Sequence, residues 1–299
     1  MPSLRRVAVV LAAALVAAPA PGAQAQAGAQ EVVVAVVDTG VDLDHPDLRD
    51  ALWRNPREVP GNGVDDDRDG FVDDVHGADI AGRDGDPRDD QSHGTRVAGL
   101  IAARGAVPGV APGAKLMAVK VLDARGRGGA DDVARGVRYA VRHGARIINL
   151  SLTTPARYAP LRRAIGAAQR AGVLVVAAAG NTGRRPEYPV AYGAPNVVGV
   201  AAIEPDGTLL PTSARGRRVE LAALGRDVLS TVPGGGHATG TGTSMAAPLV
   251  AGRAALAAAR RPRARWPELR AVLRGVARPA AIPTRWGMLG IADWLLSRR

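Results

Sequence analysis

The chain contains no cysteine. Thiol nucleophiles, cysteine-based zinc sites, redox pairs and disulfide scaffolds are therefore excluded, and oxygen, imidazole and carboxylate chemistry remain. Aromatic surface is scarce: Phe, Trp and Tyr make up 3%, with Phe71 the single phenylalanine. The base-stacking platforms of RNA-binding and single-strand-binding proteins are hard to build from so few rings. Lysine is scarce too, with Lys115 and Lys120 the only two, so the formal charge of +11 rests on arginines spread from Arg5 to Arg299. We read this surplus as a solvated surface, with no nucleic-acid partner; retardation of a DNA duplex in a gel at physiological salt would argue for a phosphate-gathering patch instead. What is present in quantity is apolar residue, 46% of 299. That is enough to bury a core, and it rules out intrinsic disorder and collagen.

Residues 1–25 have the anatomy of an export signal. Arg5 and Arg6 form a charged start, 7–18 an apolar run, and Ala23-Gln24-Ala25 a small-x-small cleavage pattern. The apolar run is shorter than the ~20 residues a helix needs to cross a bilayer, so a cleaved leader is expected rather than a permanent anchor. The expectation is a secreted or periplasmic monomer without stable membrane insertion, its single domain occupying 26–299. A chain without cysteine suits an exported bacterial protein that manages without disulfides.

From Glu31 onward the pattern alternates. Continuous β-branched and apolar runs at 32–37, 116–122, 147–150 and 173–176, followed by 197–202 and 219–222, read as strands buried on both faces. Helical spacing appears at 95–103, 131–142 and 161–170, then in an Ala-rich stretch at 244–260 stopped by Pro262, and at 267–276 before a short segment containing Trp294. Strands alternating with helices predict an α/β fold: a doubly wound, mostly parallel sheet with helices on both faces. No internal repeat, linker or second domain interrupts it.

Chemistry in such sheets gathers beyond the carboxyl ends of the strands. Four blocks are expected there: Asp38-Thr39-Gly40 closing the first strand, Ser92-His93-Gly94-Thr95 opening a helix, Gly180-Asn181 after 173–179, and Gly242-Thr243-Ser244-Met245-Ala246-Ala247-Pro248 opening the Ala-rich helix. Singly, each has a bland explanation as a turn residue, a helix cap or a surface polar group. Together they supply an acid, a base, a nucleophile and an amide donor, each beside a glycine that permits close backbone approach.

In sequence and in the order Asp, His, Ser, these blocks resemble those of the subtilisin-like serine proteases. The likeness runs over 32–296 and includes His45-Pro46-Asp47-Leu48, Gly109-Val110-Ala111-Pro112 and Ile148-Asn149-Leu150-Ser151-Leu152. The serine block is highly specific, whereas Asp-Thr-Gly alone is not. The resemblance implies a subtilisin-like fold and a secreted serine endopeptidase acting on protein or peptide substrates. Ser244 would be the nucleophile, His93 the general base, Asp38 its orienting partner, and the Asn181 amide with the Ser244 N–H the oxyanion donors. It further implies that an extended substrate lies between Gly126-Arg127-Gly128 and Ser151-Leu152-Thr153, with a specificity pocket walled by Ala178-Ala179-Gly180. Two residues depart from the family pattern. Thr153 replaces a glycine and either narrows the cleft or turns outward; Arg127 replaces a small residue and either favours acidic residues upstream of the cut or is merely solvated. The main rival is a non-enzymatic one, an inactive pseudo-protease serving as a calcium-binding or interaction module. An aspartic protease is disfavoured because Asp-Thr-Gly occurs once, and an α/β-hydrolase because no Gly-x-Ser-x-Gly elbow surrounds Ser244.

The stretch 65–73 places Asp65, Asp67, Asp69 and Asp73 at positions 1, 3, 5 and 9 of an EF-hand-like loop, with Gly70 at 6 and the Phe71 carbonyl at 7. Position 12 is His76 rather than glutamate, so the motif is incomplete. Oxygen donors at this spacing suit structural Ca²⁺, and the family resemblance points the same way. Only 26–30 separate the expected cleavage point from the first strand, so the propeptide and N-terminal arm usual in the family are expected to be missing.

Overall fold

The computed structural model describes residues 31–290. The export signal expected at 1–25 and the segment around Trp294 lie outside them.

The β-branched runs form strands as expected: β1 (Val33–Asp38), β3 (Lys115–Lys120), β4 (Ile147–Leu150), β5 (Leu174–Ala178), β6 (Val197–Ile203) and β7 (Leu221–Leu224). Two short strands, β2 (Gly77–Asp79) and β10 (Gly287–Met288), close the edges. The order is β10-β7-β6-β5-β4-β1-β3-β2 and every neighbouring pair is parallel. Parallel neighbours need crossovers, supplied by α1 (His93–Ala102), α2 (Ala130–Arg142), α3 (Ala159–Ala171) and the long α4 (Thr243–Arg260), with α5 (Trp266–Val276) following. An antiparallel hairpin of β8 (Val228–Val232) and β9 (Gly236–Gly240) stands apart from the sheet.

Alternation along β1 shows the two layers. Val34 and Val36 join a core with Val97, Ile101, Val250 and Leu273 from α1, α4 and α5, while Ala35 and Val37 join a second core with Val133, Val137, Leu161 and Ile165 from α2 and α3. The fold is the doubly wound α/β architecture expected. Helix α4 is buried almost all round, and its alanines let it sit close against the sheet and α1. No described helix is long and apolar enough to cross a membrane.

The differences from the sequence reading are local. β2, β10 and the β8–β9 hairpin were not expected, and β7 starts two residues later than the 219–222 run. A strand of two or three residues carries no periodicity of its own and exists through its partner. The Pro233-Gly234-Gly235 turn is the one signal that marks the hairpin.

β1 pairs with β3 on one edge and β4 on the other, so the chain reverses direction across the sheet at β1. The carboxyl ends at such a switch point form a crevice. α1 enters it closely: a Cβ on Gly94 would lie 2.0 Å from the Gly40 carbonyl oxygen. Gly94→Ala is therefore expected to cost about 2 kcal/mol or more by overpacking. Gly113→Ala, where an added Cβ meets nothing within 4 Å, is expected to stay within about 0.5 kcal/mol of the parent. Urea unfolding midpoints at unchanged slope compare the two.

Candidate active site

Asp38 ends β1 fully buried, and His93 begins α1. The His93 Nδ1 lies 2.7 Å from Asp38 Oδ1, which also accepts the Thr39 N–H at 2.8 Å. Ser92 precedes the helix in a left-handed conformation and makes no side-chain cap. Its duty falls on residues further away. Asp89 accepts from the Thr39 hydroxyl and the Ser92 N–H through one oxygen, and from the N–H and hydroxyl of Thr95 through the other. The Thr39 hydroxyl in turn accepts the Gly94 N–H at 2.8 Å. Buried Lys120 ties the same turn down by donating to the Thr39 carbonyl and Asp90. Sequence reasoning missed Asp89 and Lys120, since neither stands in a motif.

Ser244 is the second residue of α4, after Thr243. The Asn181 side-chain oxygen caps this helix by accepting the Thr243 N–H at 2.9 Å and its hydroxyl at 3.1 Å. Asn181 itself is exposed, and these capping bonds engage its oxygen. Pro248 removes the N–H that would have bonded the Ser244 carbonyl four residues back. The Ser151 hydroxyl replaces it, donating to that carbonyl at 2.9 Å, and the Ser244 hydroxyl donates to the Ser151 carbonyl at 2.9 Å. Asn149 steadies Ser151 by donating to its hydroxyl. The Ser244 hydroxyl proton is thus directed to the Ser151 carbonyl.

A groove of about 550 Å³ runs past His93, with Gly126, Arg127 and Gly128 on one side and Ser151, Leu152 and Thr153 on the other. Arg127 is exposed, and its charge is partly answered by Asp123 at 4.0 Å. Thr153 turns inward, its hydroxyl donating to Glu187 at 2.5 Å. Ala178, Ala179 and Gly180 continue from β5 and are buried.

The acidic loop gathers differently from an EF-hand. Asp65 and Asp67 each bring an oxygen near Glu58, and Asp67 also lies with Asp69 and His143. Glu58 was not anticipated, because it precedes the motif. Asp69 is engaged by the Phe71 N–H and by His143 at 2.7 Å. Asp73 accepts the N–H groups of Gly61, Asn62 and Gly63 and stands outside both groupings. Phe71 packs its ring edge-on to Tyr139. Beneath the loop, burial pushes Asp74 up to about 6 despite hydrogen bonds from Tyr139 and Asn55.

Residues 29–288 match the profile of the Subtilase family. The chain belongs to the subtilase family. It is 40% identical to Subtilisin BL of Lederbergia lenta over 235 residues, covering 77% of each chain. It is 39% identical over 230 residues to a thermophilic serine proteinase of Bacillus sp. (strain AK1), covering 75% of this chain and 51% of that protein. The chain thus spans about half the length of that relative. Among solved structures, a cold-adapted subtilisin-like serine proteinase superposes with a TM-score of 0.71 at 28% identity, covering 87% of this chain and 86% of the other. In this subtilase the Asp38 charge raises the His93 pKa above its ordinary value, outweighing the opposing effect of burial. The protonated ring therefore persists to higher pH than a free imidazole, near 6.5. If neutral His93 is the base, kcat/KM rises with pH along a limb centred above ~6.5. Asp38→Asn removes the charge and is expected to move that limb to lower pH while reducing kcat; a pH–rate profile of both proteins reads the shift.

Proposed function

We propose that this subtilase is a serine endopeptidase acting through Asp38, His93 and Ser244. The observation that carries the reading is the joining of two helix starts at one crevice: His93 heads α1 against Asp38, and Ser244 heads α4 clasped to Ser151, whose backbone lines the same groove as His93. An extended peptide in that groove pairs its backbone with 126–128 and 151–153, a mode that gives affinity without demanding a sequence. His93 Nε2 takes the Ser244 hydroxyl proton as Oγ attacks the scissile carbonyl carbon. The imidazolium, held by Asp38, then returns that proton to the leaving amine, and water repeats the cycle on the acyl-enzyme. The Asn181 NH₂ and the Ser244 N–H donate to the oxyanion, aided by the positive end of the α4 dipole.

Ser244→Ala is expected to reduce casein hydrolysis about a millionfold in kcat, the magnitude found in subtilisin, without lowering the melting temperature. Asn181→Ala is expected to lose about 10²- to 10³-fold in kcat. Hydrolysis unchanged in Ser244→Ala would refute the mechanism, and a parent protein that cuts nothing would favour a non-enzymatic binding module.

Calcium binding belongs to the same reading. Glu58 Oε2 and Asp67 Oδ1 are buried oxygens without a hydrogen-bond partner, gathered with Asp65. Carboxylates so placed repel one another unless a cation joins them, and an all-oxygen set suits Ca²⁺. Glu58, Asp65 and Asp67 would hold the ion, which would lend stability and take no part in hydrolysis. Added calcium is expected to raise the melting temperature above that in chelator, and Asp67→Asn to abolish the difference. Export rests on residues 1–25; one relative, from Paenibacillus polymyxa, is named an intracellular serine protease. N-terminal sequencing of protein from the medium or periplasm, with a start near Gln26, tests it.

A further inference from the structure

Against the Thr153 wall of the groove lies a charge that the mechanism does not use, the Glu187 carboxylate. Residues 187–188 cross between two walls, 153–154 and 179–180. The Glu187 N–H donates to the Ala179 carbonyl at 3.0 Å, while Tyr188 and Thr154 exchange both backbone hydrogen bonds at 3.0 Å. The Glu187 side chain lies between those walls. Its Oε2 accepts the Thr153 hydroxyl at 2.5 Å, and a Cβ built on Gly180 would lie 3.2 Å from the same oxygen. The absence of a side chain at Gly180 leaves the space beside the carboxylate open. Thr153 fixes one oxygen, and Oε1 has no partner among the described residues. Arg184 and Arg185 border a cavity with Glu187, but both are exposed and neither pairs with it among the described residues.

A half-buried carboxylate, oriented by one hydroxyl and left without a cation, is a receptor for a guanidinium or ammonium group. Taking the walls 151–153 and 178–180 as the pocket for the residue preceding the cut, an assignment that rests on the function proposed above, we propose that Glu187 makes this subtilase select arginine or lysine at that position. Long basic side chains also suit the geometry. Their methylene stems can lie along the partly exposed Leu152 and Thr153 while the charged head reaches Glu187. Large apolar side chains would strand the Glu187 charge against an apolar surface, which disfavours them.

Binding separates this inference from the question of turnover. In a Ser244→Ala background, the peptide acid Ala-Ala-Pro-Arg is expected to bind about tenfold to a hundredfold more tightly than Ala-Ala-Pro-Phe, read by calorimetry. Adding Glu187→Gln, which keeps the shape and removes the charge, is expected to erase most of that ratio; Glu187→Lys is expected to shift preference toward Ala-Ala-Pro-Glu. Equal binding of the Arg and Phe peptides, or an Arg preference that survives Glu187→Gln, overturns the inference. Failure of the Ser244-intact protein to hydrolyse any peptide overturns the proposed activity and leaves the binding ratio to decide the role of Glu187.

Discussion

β1 is paired on both edges and covered on both faces, and this double confinement organises everything else. A carboxylate at its end can only emerge at the carboxyl edge of the sheet, where Asp38 stands buried beneath the crevice. Helices α1 and α4 pack on the same face of that sheet. Each begins near the carboxyl edge, so their unsatisfied N–H groups and positive dipole ends converge there.

Those helix starts are satisfied by residues that stand beside Asp38, His93 and Ser244. Asp89 and Thr39 cap α1, which begins with His93 against Asp38; Asn181 caps α4 with its oxygen. Pro248 creates the vacancy that Ser151 fills, locking the end of β4 to the head of α4. Capping is ordinarily worth about 1 kcal/mol per residue. Here each cap links stability to alignment, so loss of one disturbs both. The Thr153–Glu187 hydrogen bond likewise joins two segments and orients a charge in one contact.

Much of this was legible before any coordinate. Both-face burial demands apolar residues at every position, so β1, β4 and β5 announce themselves as unbroken β-branched runs. The motif blocks around Asp38 and His93 announce themselves through glycines that permit close approach, as Gly94 shows against Gly40. The short edge strands were not legible, nor was Asp89, whose partners are set by how β1 meets α1. The acidic loop gathers in space differently from its spacing along the chain. Counting along the chain includes Asp73, which the structure commits to backbone amides, and omits Glu58, which a turn brings alongside Asp65 and Asp67.

The sequence by itself determined the fold class, the alternation of strands and helices and the motif blocks that mark the family. These depend on local composition, on burial pattern and on short motifs in which neighbours in the chain are neighbours in space. Tertiary structure decided that Thr153 faces inward, that the Asn181 oxygen caps α4, and that Glu187 meets Thr153. Glu187 stands 34 residues from Thr153 along the chain. No periodicity spans such a gap; only the packing of β4 beside β5, and of the segment that returns beneath them, brings the two within hydrogen-bonding reach.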